Sequence, residues 1–513
     1  MAYAASVNTM NIHGMAYSGE NHNTTWPGFA IVQYFTGELV LQAGTIKKDV
    51  AFYLYKNPWS ASVELEGTDL RNSGYSYEYL GPTNLESDEA VVEDGVLAIG
   101  GPAYRALVFD HQKYISPEAA HKVLEFAQCG LPIVIIGNAP NMTIGRSGSS
   151  RQKLVSESMS SIATLDNVKF IDDAKLLPKA LLTFKVQPRV SVSSETPAPG
   201  LWSVWRETED ADLIYLYNVN ETATFNLTFE VADDKIPYQL DAWTGEQRAW
   251  KTYQRTEAGV SLSLTLTADQ TTIFAFAEHC GPKILHATSH SANIEKIWAG
   301  EREELIAFVN DSSAATLALS TGRQVDLPAQ KGNFSISKLD QLVWNLTLQS
   351  WVPSDDSSVT RSVVKTIELG PQSSLRPWSA IGGMQNVSGV GVYTTTFSLP
   401  KNFELDQSAV LVHFGPILGT LRVWVNERLV PPLDVSNAEA YVTELLVLGE
   451  NRIKVEVSSN LFNAVKARID SIYTGGDPVS PQFRAQYTGA DWQAYGLVGP
   501  VTTRVLRKVV IEP

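Results

Sequence analysis

The chain has 513 residues, 44% of them hydrophobic and 19% charged, so it is too long for one core and unlike a disordered or coiled-coil protein. Lysine and arginine total 40 and aspartate and glutamate 55, which gives a net charge of −15 at pH 7. An acidic chain with no apolar run of about 18 residues is not expected to bind nucleic acid, to bind an anionic membrane or to cross a bilayer.

The first 55 residues are turn-rich and do not form a predicted domain of their own. A predicted strand leads into a loop within NIHGMAYSGENHNTTWPGF, where side chains suited to sugars cluster: His13, Tyr17, Glu20, Asn23 and Trp26. Aromatic rings stack on the apolar faces of sugars, and histidine and asparagine bind hydroxyl groups. The cluster is as typical of a barrel rim as of an irregular segment with a capping tryptophan.

Residues 56–190 alternate predicted strands and helices. The apolar runs at 104–111 and 131–137 are typical of strands buried on both faces. Between them, Ser116 suits an N-cap, Pro117 the first helical position and Gly130 a left-handed stop. The pattern predicts a parallel, flavodoxin-like α/β domain.

From about residue 190 the hydrophobic period changes to two, which is typical of half-buried strands. Residues 191–280 predict a β-sandwich, residues 281–370 a β-rich connecting domain and residues 371–513 a jelly roll. Within the jelly roll, Asn426 and Glu427 are expected to form a hairpin turn. The predicted fold class is therefore multidomain, α/β plus all-β.

Cofactor and metal motifs are absent from the sequence. GPAYR, GNAPN and GRSGSS match neither a dinucleotide fingerprint nor a phosphate-binding loop, so no cofactor is predicted. His286 and His290 are spaced as two metal ligands on one face of a helix would be. No third ligand lies nearby in the sequence, so no metal is predicted. Two cysteines, Cys129 and Cys280, exclude a disulfide framework.

Glycosylation sequons are unusually frequent. Chance would give roughly three or four Asn-x-Ser/Thr motifs, and the chain has eight. They begin at Asn23, Asn141, Asn220, Asn226, Asn310, Asn333, Asn345 and Asn386. This excess suggests a secreted glycoprotein, whereas the first residues lack the basic and apolar segments of a signal peptide. The two observations point to different compartments.

Several segments resemble the α-L-rhamnosidases of glycoside hydrolase family 106. The end of that family's catalytic barrel is similar to HGMAYSG and TTWPGF, and the exit from the barrel is similar to LVLQAGTIKKDVAFYLYK. The family's α/β accessory domain is similar to YEYLGPTNL and GPAYRALVFDHQKYISPEAAHKVLEFAQCGLPIVIIG, and its middle sandwich to YQLDAWTGEQRAW. The sugar-binding jelly roll of glycoside hydrolase family 2 is similar to VYTTTFSLP, GPILGTLRVWVNERLV, LGENRIKVEVSSNLFNAV and YGLVGPVTTRV.

The resemblance covers nearly the whole chain and corresponds to the C-terminal half of the family. It implies a barrel-end remnant at 1–55, followed by the α/β domain, the sandwich, the connecting domain and a galactose-binding-like jelly roll. It also implies a carbohydrate ligand containing rhamnose, held by His13, Tyr17, Asn23 and Trp26.

Catalysis is where the chain departs from the family. Hydrolysis needs two carboxyl groups, and the family's two glutamates lie upstream of the part that HGMAYSG matches. Glu20 is the one acid of NIHGMAYSGENHNTTWPGF and the catalytic candidate, although it cannot fill both roles. In the jelly roll, three residues are candidates for carbohydrate binding: Trp424, Asn463 and Tyr495. For each of them a structural role is favoured, in sheet packing for Trp424 and in hydrogen bonding to loop backbone for the other two.

Three functions follow as hypotheses. The favoured one is a truncated, rhamnosidase-like protein that lacks the catalytic pair and is non-hydrolytic or carbohydrate-binding. The second is a working glycosidase on terminal α-L-rhamnosides of plant or fungal polysaccharides or glycosides, completed by a barrel-bearing partner or by Asp49, Glu78 or Glu86. The third is a protein-interaction scaffold whose sandwiches bind another protein through a large exposed apolar patch. The favoured function also implies self-association, because the surface that a barrel would cover is exposed.

Overall fold

The computed structural model describes residues 39–55, 70–143, 149–194, 200–279, 284–300, 304–310, 313–329, 339–356, 362–470 and 481–512. The chain divides into two compact units. The first holds the described residues of Gly37–Leu240 and Gln247–Lys283, and the second those of Asp241–Glu246 and Ile284–Pro513. Both units are mostly β. None of the described helices has the length and apolar character needed to span a bilayer.

The first unit combines a parallel sheet with an antiparallel sandwich. Its strands are β1 (Thr45–Lys47), β2 (Val50–Tyr53), β3 (Tyr77–Leu80), β4 (Val92–Glu93), β5 (Val96–Leu97), β6 (Ala106–Asp110), β7 (Ile133–Ile136), β8 (Val168–Ile171), β9 (Val190–Ser194), β10 (Leu201–Glu207), β11 (Ala211–Asn218), β12 (Ala223–Phe229), β13 (Lys235–Leu240), β14 (Gln247–Ala249), β15 (Gln254–Thr256), β16 (Gly259–Leu266) and β17 (Thr271–Glu278). Its helices are α1 (Pro82–Leu85), α2 (Pro117–Gln128), α3 (Ser149–Ile162) and α4 (Leu177–Thr183).

Five strands form the parallel sheet, in the order β3-β2-β6-β7-β8. Counted along the chain within the sheet, this order is 2-1-3-4-5, that of flavodoxin-type doubly wound sheets. Every residue of β2 and β7 is buried, because helices cover both faces of the sheet. Helices α2 and α3 pack on one face and α4 on the other.

Helix α2 has the ends that the sequence predicts. The Ser116 Oγ accepts a hydrogen bond from the Ala119 N–H at 3.1 Å, and Pro117 occupies the first turn. Gly130 follows the helix with φ of 91°, a left-handed conformation that glycine adopts at little cost. Val123 and Phe126 carry the buried face of the helix onto the sheet. Capping and amphipathic spacing therefore place α2 from local sequence alone.

The sandwich packs two antiparallel sheets, β1-β10-β11-β17-β13-β14 and β15-β16-β12-β9. Its core is aromatic, with the rings of Phe229 and Phe276 at 4.9 Å and those of Trp250 and Phe274 at 5.3 Å. The edge strand β1 precedes the parallel sheet in the chain, although the rest of the sandwich follows it. The backbone therefore runs through the sandwich, then the α/β sheet, then the sandwich again.

The passage between the two layers is held by a buried ion pair. Asp49 is 1% exposed, and Arg189 is 8% exposed. The Asp49 carboxylate accepts hydrogen bonds from Arg189 N and Nη1 at 3.1 and 3.0 Å, and from Ser76 N and Oγ, both at 2.8 Å. The Arg189 guanidinium also donates to the carbonyls of Lys48 and Ala103. Such complete bonding offsets the cost of removing both charges from water.

The second unit contains three further sheets and two described helices. Its strands are β18 (Ala287–His290), β19 (Ile294–Ala299), β20 (Leu305–Val309), β21 (Ala315–Leu319), β22 (Gln324–Leu327), β23 (Trp344–Val352), β24 (Val363–Gln372), β25 (Gly389–Leu399), β26 (Ser408–His413), β27 (Thr420–Val425), β28 (Arg428–Leu429), β29 (Glu439–Tyr441), β30 (Gly449–Ser458) and β31 (Thr502–Ile511). Its helices are α5 (Phe462–Lys466) and α6 (Pro481–Gly489).

The three sheets of the second unit share one continuous strand. Strands β18-β21-β22 form a small sheet, β19-β20-β31-β26-β29 a five-stranded sheet and β24-β23-β25-β30-β27-β28 a six-stranded sheet. Strand β31 pairs with β26 over its first half and with β20 over its second half. Two cores lie on the five-stranded sheet, one beneath the six-stranded sheet and one beneath the small sheet.

The five-stranded sheet curls until its edge strands face each other. Lys296 on β19 forms an ion pair with Glu439 on β29 at 2.8 Å, and the rings of Trp298 and Tyr441 lie 5.3 Å apart. Burial opposes ionisation of Glu439, but Lys296 and Arg504 together keep the pKa of this carboxyl below its usual value. The curved sheet therefore brings the aromatic rings of its two edge strands together, beside the paired charges of the same strands.

The predicted limit between residues 370 and 371 falls within β24, which pairs along its length with β23. Strand β23 in turn pairs with β25, so these strands belong to one sheet. The five domain ranges stay predictions, while the mostly β character of the chain and its several sheets are as expected.

Removal of the Asp49 carboxylate should strongly destabilise the first unit. In Asp49→Ala, Arg189 keeps a buried charge without its partner, which costs about 3–5 kcal/mol in the free energy of unfolding. Urea unfolding followed by circular dichroism measures the loss. Glu230→Ala is the matched control, because the Arg105–Glu230 pair is half exposed and its removal should cost about 1 kcal/mol or less. Equal losses in the two variants would contradict a dominant role for Asp49.

Lys48 should make the stability of the first unit rise with pH. Burial lowers the pKa of this 3% exposed lysine from 10.5 to about 8. Between pH 8 and 10.5 the unfolded chain therefore binds more protons than the folded chain, so the penalty for burying Lys48 disappears as the pH rises. Relative to Lys48→Met, the free energy of unfolding of the unmodified chain should rise by on the order of 3 kcal/mol over this window.

The measurement for Lys48 is urea unfolding of both chains at several pH values, with the exposed Lys153→Met variant as control. A difference between the chain and Lys48→Met that stays flat across the window would show that Lys48 keeps an ordinary pKa.

Candidate functional site

A cavity of about 520 Å³ lies on the second unit. Three chain segments meet there: the turn that precedes β25, the end of α5 and the stretch that follows α6. Its lining residues are Gly383, Gln385, Asn386, Lys466, Ala467, Ile469, Asp470, Thr488 and Trp492. The cavity is a wide, open depression, so a ligand in it would keep one side in solvent.

Trp492 provides the aromatic wall of the cavity and is partly exposed. The Lys466 Nζ lies 5.2 Å from its ring centroid and donates a hydrogen bond to the Tyr487 carbonyl at 2.7 Å. The rings of Tyr487 and Phe462 stack at 4.9 Å, which packs α6 against α5. The cation–π contact and the stacked pair hold the tryptophan beside the cavity.

The remaining lining is polar. Gln385 and Asn386 are exposed amides, and Asp470 forms an ion pair with Arg484 at 2.5 Å. The Thr488 hydroxyl donates to the Arg484 carbonyl at 3.0 Å. Amides, a hydroxyl and a carboxylate supply both donors and acceptors, as the hydroxyl groups of a sugar require.

Asn463 lies behind the cavity wall rather than in its lining. The side chain is fully buried, and its amide exchanges two hydrogen bonds with the backbone of Gln493, Nδ2 to O at 3.0 Å and N to Oδ1 at 2.9 Å. This pair fixes the residue next to Trp492. Asn463 is therefore a positioning residue, and its proposed contact with carbohydrate stays a prediction.

Tyr495 is also set behind the wall. It is 1% exposed, its hydroxyl contacts the Asn460 Oδ1, and its ring lies 6.1 Å from that of Trp378. Burial raises the pKa of Tyr495 to about 12, so the hydroxyl keeps its proton and acts as a hydrogen-bond donor at neutral pH. The observed contacts are structural, and direct sugar binding by Tyr495 stays a prediction.

Trp424 stands apart from this group. It lies on β27 between the buried Val423 and Val425, so it faces away from the core, and it does not line the cavity. The Lys454 Nζ on β30 sits 4.3 Å above its ring. The structure thus brings Asn463 and Tyr495 to one region and leaves Trp424 on the outer face of the six-stranded sheet.

The N-terminal candidates cannot be placed. Glu20, His13, Tyr17, Asn23 and Trp26 all lie outside the described residues.

The three acids named as candidates to complete a site with Glu20 have structural partners. Asp49 bonds Arg189 and Ser76, and the Glu78 Oε2 accepts a hydrogen bond from the Tyr104 hydroxyl at 3.0 Å. Glu86 accepts one from the Ser116 Oγ at 2.5 Å.

The histidine pair has a different geometry from the one its spacing suggests. His290 ends β18 and His286 immediately precedes it, so the connecting backbone is extended rather than helical. Each Nδ1 lies 3.0 Å from a backbone carbonyl, that of Ile284 or of Ser291. Across the ranges that the structure describes, no three His, Cys, Asp or Glu side chains cluster as metal ligands.

Sequence reasoning did not single out Trp492, Lys466 or Asp470. Trp492 lies three residues before the candidate Tyr495, in DWQAYGLVG. An isolated tryptophan carries no periodic signal, and its neighbours in the cavity are distant in sequence, so the site emerges only when three loops meet.

Asn463→Ala should loosen the Trp492 wall. The substitution leaves the partly buried N–H and C=O of Gln493 without their Asn463 partners, which should cost about 1 kcal/mol or more in total. Thermal unfolding should show a lower Tm, and the tryptophan emission should move to longer wavelength. The exposed Asn402→Ala is the matched control and should change neither. An unchanged Tm in Asn463→Ala would remove its role as a positioning residue.

Comparisons with known proteins confirm the family resemblance. Residues 8–255 match the family model of glycoside hydrolase family 106, alpha-L-rhamnosidase. Among solved structures, a rhamnosidase from Novosphingobium sp. PP1Y is 16% identical with a TM-score of 0.61, covering 93% of this chain and 40% of that protein. An apo exo-carrageenase GH42 from Bacteroides ovatus is 13% identical with a TM-score of 0.29, and the match covers 48% of this chain and 31% of the carrageenase chain. The comparison with curated proteins gives no match.

The chain thus spans less than half the length of the rhamnosidase whose fold it shares. At this level of identity, the likeness shows the fold of the chain.

Proposed function

We propose that this chain, which is rhamnosidase-like in the manner of glycoside hydrolase family 106, binds carbohydrate in the Trp492 cavity without cleaving it. One observation carries the proposal: a partly exposed tryptophan beside exposed amide, hydroxyl and carboxylate groups in a cavity of about 520 Å³. The family likeness makes a carbohydrate the expected class of ligand.

The chemistry of the cavity suits a sugar. A pyranose has a face of C–H groups that packs on an indole ring, and its hydroxyl groups need donors and acceptors at the edges. The amides of Gln385 and Asn386 and the carboxylate of Asp470 would bond the hydroxyl groups.

The same lining argues for binding rather than hydrolysis. Glycosidases place two carboxyl groups about 5–9.5 Å apart across the scissile bond, one of them protonated. Among the described residues that line the cavity, Asp470 is the one carboxylate, and Arg484 pairs with it. A single, ion-paired carboxylate can accept hydrogen bonds from a sugar but cannot supply both acid and base.

Trp492→Ala should weaken sugar binding. Loss of the stacking surface should weaken the binding of methyl α-L-rhamnoside at least tenfold, measured by saturation-transfer NMR and titration calorimetry. Trp424→Ala is the matched control, because it removes a tryptophan of the same unit that does not line the cavity. Binding that survives in Trp492→Ala and disappears in Trp424→Ala would move the site to the outer face of the six-stranded sheet.

The intact chain and its Glu20→Gln control should both release 4-nitrophenol from 4-nitrophenyl α-L-rhamnoside no faster than the buffer alone. Turnover that Glu20→Gln abolishes would establish the alternative of a working glycosidase, with a second acid supplied by another part of the chain. Turnover equal in both proteins and above the buffer rate would place the catalytic acids elsewhere and also overturn the proposal.

A further inference from the structure

The asparagines of six of the eight sequons lie within the described residues, and all six are exposed. They are Asn141, Asn220, Asn226, Asn310, Asn345 and Asn386. Of the twelve described asparagines outside sequons, four are exposed: Asn84, Asn138, Asn402 and Asn460. Three of the others, Asn218, Asn451 and Asn463, are fully buried. Among the described asparagines, those in sequons are therefore exposed more often than those outside sequons.

The two groups also use their amides differently. The buried Asn218 donates from Nδ2 to the Leu266 carbonyl at 3.1 Å, and Asn451 donates to that of Val447 at 2.7 Å. In contrast, the side-chain amides of four sequon residues have no hydrogen-bond partner within the described part of the chain. These residues are Asn141, Asn226, Asn345 and Asn386. Their Nδ2 atoms are free to carry a substituent.

Two of these four residues stand on strands, where a bulky group needs an open face. Asn226 lies on the outer face of its sheet, opposite Ser193 on β9 and Ser263 on β16. Asn345 lies on β23 between the buried Trp344 and Leu346, so it also points away from the core. Small neighbours and an outward direction leave room for a large polar group at both positions.

We propose that Asn141, Asn226, Asn345 and Asn386 are N-glycosylation sites, modified when the chain passes through a secretory compartment. In this modification the asparagine Nδ2 loses one proton and forms a bond to C1 of an oligosaccharide. The bond from that C1 to the pyrophosphate of a polyisoprenyl lipid breaks, and the lipid pyrophosphate leaves. The hydroxyl group two residues after each asparagine completes the sequon.

Asn386 links this modification to the cavity, a consequence that rests on the proposed function. Because Asn386 lines the cavity, the first sugar attached to its Nδ2 would stand at the cavity mouth. A glycan there would compete with a free sugar for the surface of Trp492. The other three positions lie outside the lining and carry no such consequence.

The test is glycan occupancy in the full 513-residue chain, secreted from yeast behind a cleavable signal. Digestion with peptide N-glycosidase in ¹⁸O water converts each occupied asparagine into a labelled aspartate that mass spectrometry locates. We expect the label at three or more of the four sites. Asn138, Asn402 and Asn460 are internal controls, since they are exposed but lie outside sequons, and should stay unlabelled.

Variants assign each glycan. Thr143→Ala keeps Asn141 but removes its sequon, so it should lose the same glycan as Asn141→Gln, whereas Asn138→Gln should lose none. Label at fewer than three sites, in a culture where a secreted reporter sequon is fully labelled, would overturn the proposal.

Binding of methyl α-L-rhamnoside is measured separately, on chain produced in a bacterial cytoplasm, where no N-glycan is added and Asn386 keeps its amide. Binding without occupancy refutes only the glycosylation proposal, and occupancy without binding refutes only the proposed function.

Discussion

The first unit depends on the carboxylate of Asp49. This group sits where the backbone leaves β1 of the sandwich and enters β2 of the parallel sheet, and it accepts hydrogen bonds from both Arg189 and Ser76. Arg189 lies just before β9, where the chain returns to the sandwich. One buried pair therefore joins the outgoing and returning crossings, and its dense bonding explains why two charges can remain out of water. The α/β sheet and the sandwich form one unit as a result.

In the second unit, the last described strand connects the two cores, as the Asp49–Arg189 pair connects the two layers of the first unit. Strand β31 pairs with β26 and then with β20, so it joins two sandwich cores through one sheet. The ion pair of Lys296 and Glu439 and the contact of Trp298 with Tyr441 hold that sheet in its curl. This framework carries the loops around Trp492, and the amide of Asn463 locks one of them from behind. A binding surface on loops thus rests on rigid strands.

The sequence and the structure agree best where local rules decide. The Ser116 cap and the Gly130 stop bound α2, and Asn426 and Glu427 adopt the positive φ values of 50° and 63° that a tight hairpin turn requires. The sequence-based predictions and the structure differ at the candidate site. Asn463 and Tyr495 lie near the cavity but behind its wall, while Trp492 carried no sequence signal at all. Single residues on separate loops leave no periodic pattern, so proximity among them cannot be inferred before the chain folds.

By itself, the sequence determined the strand and helix periods, the caps, the sequons and the resemblance to glycoside hydrolase family 106, because each depends on neighbours within a few residues or on a contiguous motif. Tertiary structure alone decided that β1 joins strands more than 150 residues later, as in its pairing of Thr45 with Glu207, and that Asp49 pairs with Arg189. It also decided which asparagines face solvent and which loops meet at Trp492. These features arise from contacts between distant segments, whose free energy depends on how the whole core packs.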